Sequence, residues 1–515
     1  MPRAIYRGTW SSTDPDMAQS PGSSRWILFV VILGTLMASV DTTIVLLAFP
    51  TIAGDLHAGI STVLWTILIY LLLVSILTTQ AGRISDLYGH GRLYTIGFVV
   101  FTVGSALCGF APTATSLVAF RGVQAVGGAF MVATGTAILA DTFPPEVRGR
   151  AFGFTTMGWN VGATLGIVLG GVLTTFVGWR SIFFINVPIG VVAVALAYRY
   201  IGVGQRTQAR LDLVGMLLLA GVLALIVYGA TDFASYGASP WNLTLVAAGA
   251  VMLAPFLWWE RRAVSPTIHL ALFRSRLLSR SLAASFLQSL GYLATVFLLI
   301  MYLQGIRGLS PLDASLLLIP GYVLSSGLAP TAGRWADRFG PARLATLGIG
   351  FMLVGVLLYA QIGLSTSLVV VALISLITGI GGALFWPSNN KAVMHDAPAA
   401  YYGSISGLLR TLGNSGTIGS YTLVITVASL AVPRSLAFAV FVGGGTVIGS
   451  VSAEFLTAIH AAFYVMAAVL VAAAVLSASR LRREAPTASA ASEPTSRTSS
   501  KPAAADPSGK PPDQL

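Results

Sequence analysis

From Trp26 to Arg480 the chain alternates long apolar runs with short polar gaps. A helix needs about 20 mostly apolar residues to cross a bilayer. Fourteen runs reach or approach that length: 26–48, 61–80, 93–112, 114–139, 151–176, 181–201, 211–230, 240–259, 278–304, 311–332, 341–362, 366–389, 403–430 and 457–479. The pattern predicts an all-α polytopic membrane protein. It divides into six spans over 26–205, an extra pair over 206–265, and six more over 266–480. The polar tails 1–25 and 481–515, rich in Ala, Ser, Thr and Pro, are expected to be disordered. Residues 431–456 fit an outer loop, an interfacial helix or a re-entrant piece equally.

Basic residues favour alternate gaps. One set holds Arg83 and Arg92; Arg148 and Arg150; Arg199, Arg206 and Arg210; Arg261, Arg262, Arg274, Arg276 and Arg280; Arg334, Arg338 and Arg343; and Lys391. The other holds Arg180, Arg307 and Arg434. The rich set marks the cytoplasmic side. A plasma-membrane protein with both termini in the cytoplasm follows, which needs an even number of spans. The first run is too long for a signal-peptide core and reads as a retained span.

Composition sharpens this picture. Of 515 residues, 55% are hydrophobic and 9% charged, against about 25% charged in soluble domains. A soluble enzyme is excluded. The net charge of +12 does not point to nucleic acid, because the arginines are spread through the gaps between spans. Cys108 is a single cysteine, so no intrachain disulfide forms. There is no G-x-x-x-x-G-K-[ST] loop for ATP, no nucleophile elbow and no metal-ligand cluster. The chain is therefore expected to be no enzyme and to use no cofactor or metal. Its expected partners are the bilayer, protons and a small-molecule substrate, with any accessory partner unknown.

One charged gap occurs twice. Residues 82–92 read G-R-I-S-D-L-Y-G-H-G-R and 333–343 read G-R-W-A-D-R-F-G-P-A-R. Gly82, Arg83, Asp86, Gly89 and Arg92 recur 251 residues later as Gly333, Arg334, Asp337, Gly340 and Arg343. A charged loop repeated once per half marks a duplicated transporter. The glycines permit a tight turn and close helix approach. Asp86 is expected to pair with Arg92 and so to hold two helices in one state and release them in another, as a cytoplasmic gate.

Charges also lie inside the spans. Asp41 falls within the first and Arg121 within the fourth, each roughly 10 Å from the outer face. An aspartate at bilayer depth costs about 2.5–3.5 kcal/mol on insertion scales, so it should meet a partner or a cavity. Two readings follow: a proton-binding switch, or a permanent structural ion pair that never titrates. Arg410, in the thirteenth span, either lines the cavity or snorkels to the interface. Gly158, Gly162 and Gly166, continued by Gly170 and Gly171, put small residues on one face of the fifth span. Tyr70, Gln124, Asn160, Gln288 and Tyr292 are further candidates to line a substrate cavity.

These stretches together resemble the major facilitator superfamily, in particular its fourteen-helix drug:proton antiporter branch. The resemblance rests on the loop at 82–92, D-T-T-I-V-L-L-A-F-P at 41–50, F-R-G-V-Q-A-V-G-G at 120–128, F-P-P-E-V-R-G-R-A at 143–151 and G-W-R-S-I-F-F-I-N-V-P-I-G at 178–190. It implies two six-helix bundles around a central cavity, two extra helices between them, and alternating-access, proton-driven export of hydrophobic or amphipathic molecules. Asp41 and Arg121 would then serve proton coupling, and Gly158, Gly162 and Gly166 would belong to the antiporter motif. The chain departs from that pattern with Leu46 in place of an asparagine and with Ala163 and Ile167 in place of prolines. A metabolite uniporter or symporter, and a non-transporting receptor or scaffold, are the alternatives.

Overall fold

The computed structural model describes residues 21–204, 206, 211–395, 402–431 and 450–481. The tails 1–20 and 482–515, Arg210 and most of 431–456 lie outside the described residues.

The first half comprises α1 (Pro21–Asp55), α2 (Ile60–Tyr88), α3 (His90–Gly109), α4 (Ala114–Thr142), α5 (Pro145–Phe176), the short α6 (Ser181–Phe184) and α7 (Asn186–Tyr200). The inserted pair is α8 (Leu213–Tyr236) and α9 (Pro240–Glu260). The second half comprises α10 (Arg276–Tyr292), α11 (Thr295–Ile300), α12 (Pro311–Phe339), α13 (Pro341–Tyr359), α14 (Leu368–His395), α15 (Tyr402–Ala431) and α16 (Ser450–Ala478). α6 and α7 form one span, and α10 and α11 continue through a π-turn at Met301–Ile306 as another.

Thirteen spans among the described residues are long and apolar enough to cross a membrane. The expected fourteenth, α15, is 30 residues long but too polar to join them. Its first two turns and middle carry Arg410, Asn414 and repeated Gly, Ser and Thr. A span can hold that composition when protein rather than lipid surrounds it. Accordingly α15 packs against α10 and α16 of its own half and against α2 and α8.

Within the first half α1 packs on α5, and α4 on both α2 and α3. In the second, α14 packs on α12 and α13. Small residues set these approaches. A Cβ at Gly104 would lie 2.7 Å from the Gln124 backbone, and one at Gly355 would lie 2.2 Å from Thr378. Gly162 abuts Leu36 and Ser39 of α1 as Gly416 abuts Phe286 and Ser289 of α10. Both pairs show the internal repeat, with the register slipped to 254 residues in the fourth and fifth spans of each half.

The halves meet unevenly. At the end of the bundle away from the arginine-rich gaps, Gly171 on α5 abuts Pro311 and Ser315 on α12, and Leu312 donates to Thr175 Oγ1 at 3.1 Å. Deeper in, Ser326 Oγ lies 3.0 Å from Thr164 Oγ1 and donates to the Asn160 carbonyl. Toward the basic end the contact is lost: Cβ positions at Gly153, Gly327 and Gly333 would meet nothing, and Met157 is 46% exposed. On the other flank α2 and α15 touch at Ser75 and Thr411. The gap between the halves therefore opens between α5 and α12 at the basic end. Phe49, Phe297 and Tyr421 stack edge to face across its far end.

The inserted pair is clamped to α2. Asp212 caps α8 through Gly215 N and also accepts from Trp259 Nε1, Thr267 N and Thr267 Oγ1 at 2.8–3.1 Å. Gln80 bridges Asp212 N and Thr267, while Arg83 donates to the Ser265 and Pro266 carbonyls. Burial pushes the Asp212 carboxyl up, but the hydrogen bonds from Trp259, Gly215 and Thr267 outweigh it and hold the group below the usual carboxylate range. A depressed folded-state pKa adds stability that is present above the unfolded value and lost as pH falls through the folded one. Asp212→Ala is expected to cost about 1–2 kcal/mol in unfolding of the detergent-solubilised protein. The gap from wild type should be flat between about pH 5 and 8 and narrow below about pH 4.

Candidate functional site

The site begins with α1 and α4, which place Asp41 and Arg121 face to face. Both are fully buried, at 0% and 1% exposure. Arg121 Nη1 donates to Asp41 Oδ2 at 2.6 Å and to Gln124 Oε1 at 2.7 Å, and its Nε donates to the Thr66 carbonyl at 2.9 Å. Gln124, one turn further along α4, returns its amide to Asp41 Oδ1 at 2.8 Å. From α7, Asn186 Nδ2 reaches Asp41 Oδ1 at 3.4 Å and Ser105 Oγ at 3.0 Å. Ser105 on α3 donates in turn to the Phe183 carbonyl at 2.9 Å. The Tyr70 ring from α2 lies 4.4 Å under the Arg121 guanidinium. Five spans thus converge on one carboxylate.

This network has one incomplete member. Asn186 Oδ1 is buried and has no hydrogen-bond partner among the described residues. The Asn186 carboxamide thus uses its donor side alone, toward Asp41 and Ser105. Asn186 and Ser105 are absent from the sequence-derived list. The signal for Asn186 lay in the specific stretch at 178–190, where it is the polar residue amid apolar neighbours. Nothing in the sequence marked Ser105.

The cavity candidates separate. Gln124 belongs to the Asp41 network inside the first half, not to the gap. Gln288 is fully buried, its Nε2 3.3 Å from Met352 Sδ, so it too lies within a half. Tyr70 is buried, its ring facing Arg121, and Tyr292 is half-buried. Asn160 lies at the α5–α12 junction and Arg410 on the gap side of α15, its Cζ 5.0 Å over the Trp159 ring of α5. By the slipped register Arg121 corresponds to Ser375, so the second half holds no equivalent charge pair.

The glycine face of α5 packs within its own half. Gly158, Gly162, Gly166 and Gly170 abut α1 from Ile32 to Leu47, and Gly171 is where the other half is met. Ser39 Oγ donates to the Trp159 carbonyl and Thr43 Oγ1 to the Ala163 carbonyl, at 2.6 and 3.3 Å. Those carbonyls precede positions where a proline would stand in the resembling motif. α5 runs unbroken from Pro145 to Phe176.

The repeated loop differs from expectation in one respect. Gly89 and Gly340 both adopt positive φ, 98° and 92°, so each helix restarts at once on a new axis. Asp86, however, does not pair with Arg92, which is exposed. Its partner is His90, whose Nε2 is 3.6 Å from Asp86 Oδ1 and 3.6 Å from Asp141 Oδ2 on α4. Because the turn at Gly89 begins α3 immediately, His90 falls one helical turn from Asp86 while Arg92 rotates away. In the second half Asp337 pairs with Lys391 of α14, and Arg334 and Arg343 are exposed. Asp337 therefore ties the second span of its half directly to the fourth, whereas Asp86 reaches the fourth through His90 of α3. Gly82 and Gly333 face open space, and Arg83 holds the insertion.

The family model for the Major Facilitator Superfamily matches residues 31–421. The chain is 30% identical to the riboflavin transporter RibZ of Clostridioides difficile (strain 630), over 76% of this chain and 85% of that protein. It is 30% identical to the tetracenomycin C resistance and export protein of Streptomyces glaucescens, over 78% and 76% of the two chains. Among solved structures, a bacterial homologue of the human lysosomal transporter Spinster superposes with a TM-score of 0.63 at 16% identity, covering 90% of this chain and 98% of that one.

Removing one member of a fully buried, hydrogen-bonded ion pair strands the other charge and typically costs about 3–5 kcal/mol, whereas replacing both with apolar groups is often neutral. Asp41→Leu and Arg121→Met are each expected to destabilise the detergent-solubilised protein by that amount, and the double variant by much less. A double-mutant cycle of thermal unfolding measures it.

Proposed function

The chain belongs to the Major Facilitator Superfamily of multi-pass membrane transporters, and on that premise we propose that it is a proton-coupled exporter of hydrophobic or amphipathic small molecules. It works by alternating access in the plasma membrane, with both termini cytoplasmic, the proton gradient as its energy source and no cofactor or catalytic reaction. The observation that carries this reading is the buried Asp41–Arg121 pair, present in the first half and missing from the second. A charge pair that only braced the duplicated fold would serve both halves.

The network offers a route for one proton. When Asp41 is protonated it stops attracting Arg121 and becomes a donor. A half-turn of the Asn186 amide then puts Oδ1 where Nδ2 lies, 3.4 Å from Asp41 and 3.0 Å from Ser105. The orphan acceptor gains two partners, Ser105 turning its hydroxyl from the Phe183 carbonyl. The grip of Arg121 on Asp41, which joins α1 to α4, is released. Because α1 also carries the glycine face of α5, loosening it transmits to the α5–α12 junction where the halves meet. The repeated loops, each joining its second span to its fourth, keep every half rigid while the gap changes sides.

The tetracenomycin C relative supports outward movement. The RibZ relative, equally identical, favours the second reading, a proton-linked metabolite transporter. Proteoliposomes holding a dye panel under an imposed pH gradient separate them. Export requires substrate to move against the proton flux, in a manner abolished by an uncoupler. Asp41→Asn is expected to remain folded and to bind substrate, with proton-driven flux reduced at least about a hundredfold. Full proton-driven flux in that variant would remove Asp41 from the coupling step.

A further inference from the structure

Arg410 is a permanent cation eight residues into α15, on the side of the helix that faces the gap. Among the described residues it has no ion pair or hydrogen bond. It does not run toward the basic end: its guanidinium lies over Trp159, at the middle of α5 in the opposite half. Arg121 is neutralised by Asp41; Arg410 has no such partner. The remaining acidic groups of the neighbouring described spans, such as Asp86, Asp141 and Asp337, with Asp232 of α8 and Glu454 of α16, lie within about a turn of a helix end. The middle of the gap is therefore positive, with the aromatic face of Trp159 beside the charge.

We propose that Arg410 and Trp159 recognise an anionic, flat aromatic substrate, its ring against the indole and its carboxylate or phenolate on the guanidinium fork. The assignment rests on the transporter reading and narrows it. An arginine presents planar paired donors that match a carboxylate. Because the cation comes from one half and the ring from the other, such a ligand contacts both at once, as alternating access requires. Exchange of an anion outward for a proton inward also moves positive charge inward on both legs, so membrane voltage and pH gradient drive it together.

The test uses purified full-length protein and three matched probes: fluorescein, a neutral dialkylated fluorescein, and the cationic rhodamine 6G. Fluorescence polarisation is expected to show fluorescein bound at least about tenfold tighter than rhodamine 6G. R410Q should lose about tenfold on fluorescein and little on the neutral dye, and R410K should keep part of the preference. W159L should weaken fluorescein and the neutral dye alike. If R410Q does not fold, R410K and W159L carry the same comparison. Tighter binding of rhodamine 6G, fluorescein affinity indifferent to residue 410, or binding of none of the three overturns the assignment. Proton-driven flux of rhodamine 6G unaffected by R410Q would overturn it while leaving the exporter reading intact. Arg410-dependent fluorescein binding without proton-driven flux would overturn the exporter reading instead.

Discussion

The constraint on which this structure turns is the cost of a charge at bilayer depth. An isolated carboxylate cannot remain ionised in hydrocarbon, so Asp41 dictates its surroundings: a guanidinium, two amides and the helices that carry them. Arg121 comes from α4, Gln124 from the next turn of the same helix, Asn186 from α7, and the carbonyl that takes Arg121 Nε from α2. Satisfying one acidic group thereby fixes the mutual placement of five spans. The glycines of α4 at 127 and 128 are part of the same solution, since a Cβ at either would strike Phe101 or Tyr70. Packing and electrostatics are not separable here: the helices approach closely because the charge must be enclosed.

The second half solves the same packing problem without a charge. Tyr292 beside Thr378, and Ser375 where Arg121 would be, fill the equivalent region with neutral groups. The first half instead encloses a buried ion pair at that level. The asymmetry sets the two halves apart within a shared frame. What they keep in common is at the basic end, where the Gly89 and Gly340 turns and the loop aspartates recur. Even there the partner differs, a histidine held between two carboxylates in one half and a lysine in the other. The frame recurs in geometry while its charge partners do not.

Much of this could be read from residues alone, and the limits have physical reasons. The all-helical multi-span class, the repeat and the pairing of Asp41 with Arg121 follow from hydropathy and burial cost, which depend on composition and depth. Asn186 and Ser105 could not be placed, because they join the site from α7 and α3 through contacts that no local spacing encodes. Gln124 was assigned to the wrong surface for the same reason: its position along α4 is legible, its rotation toward Asp41 is not. His90 displaced Arg92 as the partner of Asp86 because the positive φ at Gly89 sets the phase of α3. And α15 was expected as an ordinary apolar run, though its polar residues are those of a helix enclosed by protein.

The inserted pair shows how an addition can acquire a mechanical role. α8 and α9 expose much of their surface and could have floated in lipid beside the bundle. Instead, Gln80 and Arg83 of α2 are spent on the segment that follows α9, and Asp212 gathers hydrogen bonds from both inserted helices' ends. Arg83 belongs to the repeated loop, and its counterpart Arg334 is exposed. So the insertion binds the repeated loop of one half and not the other. Since α8 also packs on α15, it joins the basic end of α2 to the helix that carries Arg410. Motion of α2 against α15 must then either carry the insertion along or break the Arg83 bonds to the Ser265 and Pro266 carbonyls. This makes the α2–α15 flank the stiffer side of the gap, consistent with contact surviving there at Ser75 and Thr411 while α5 and α12 separate.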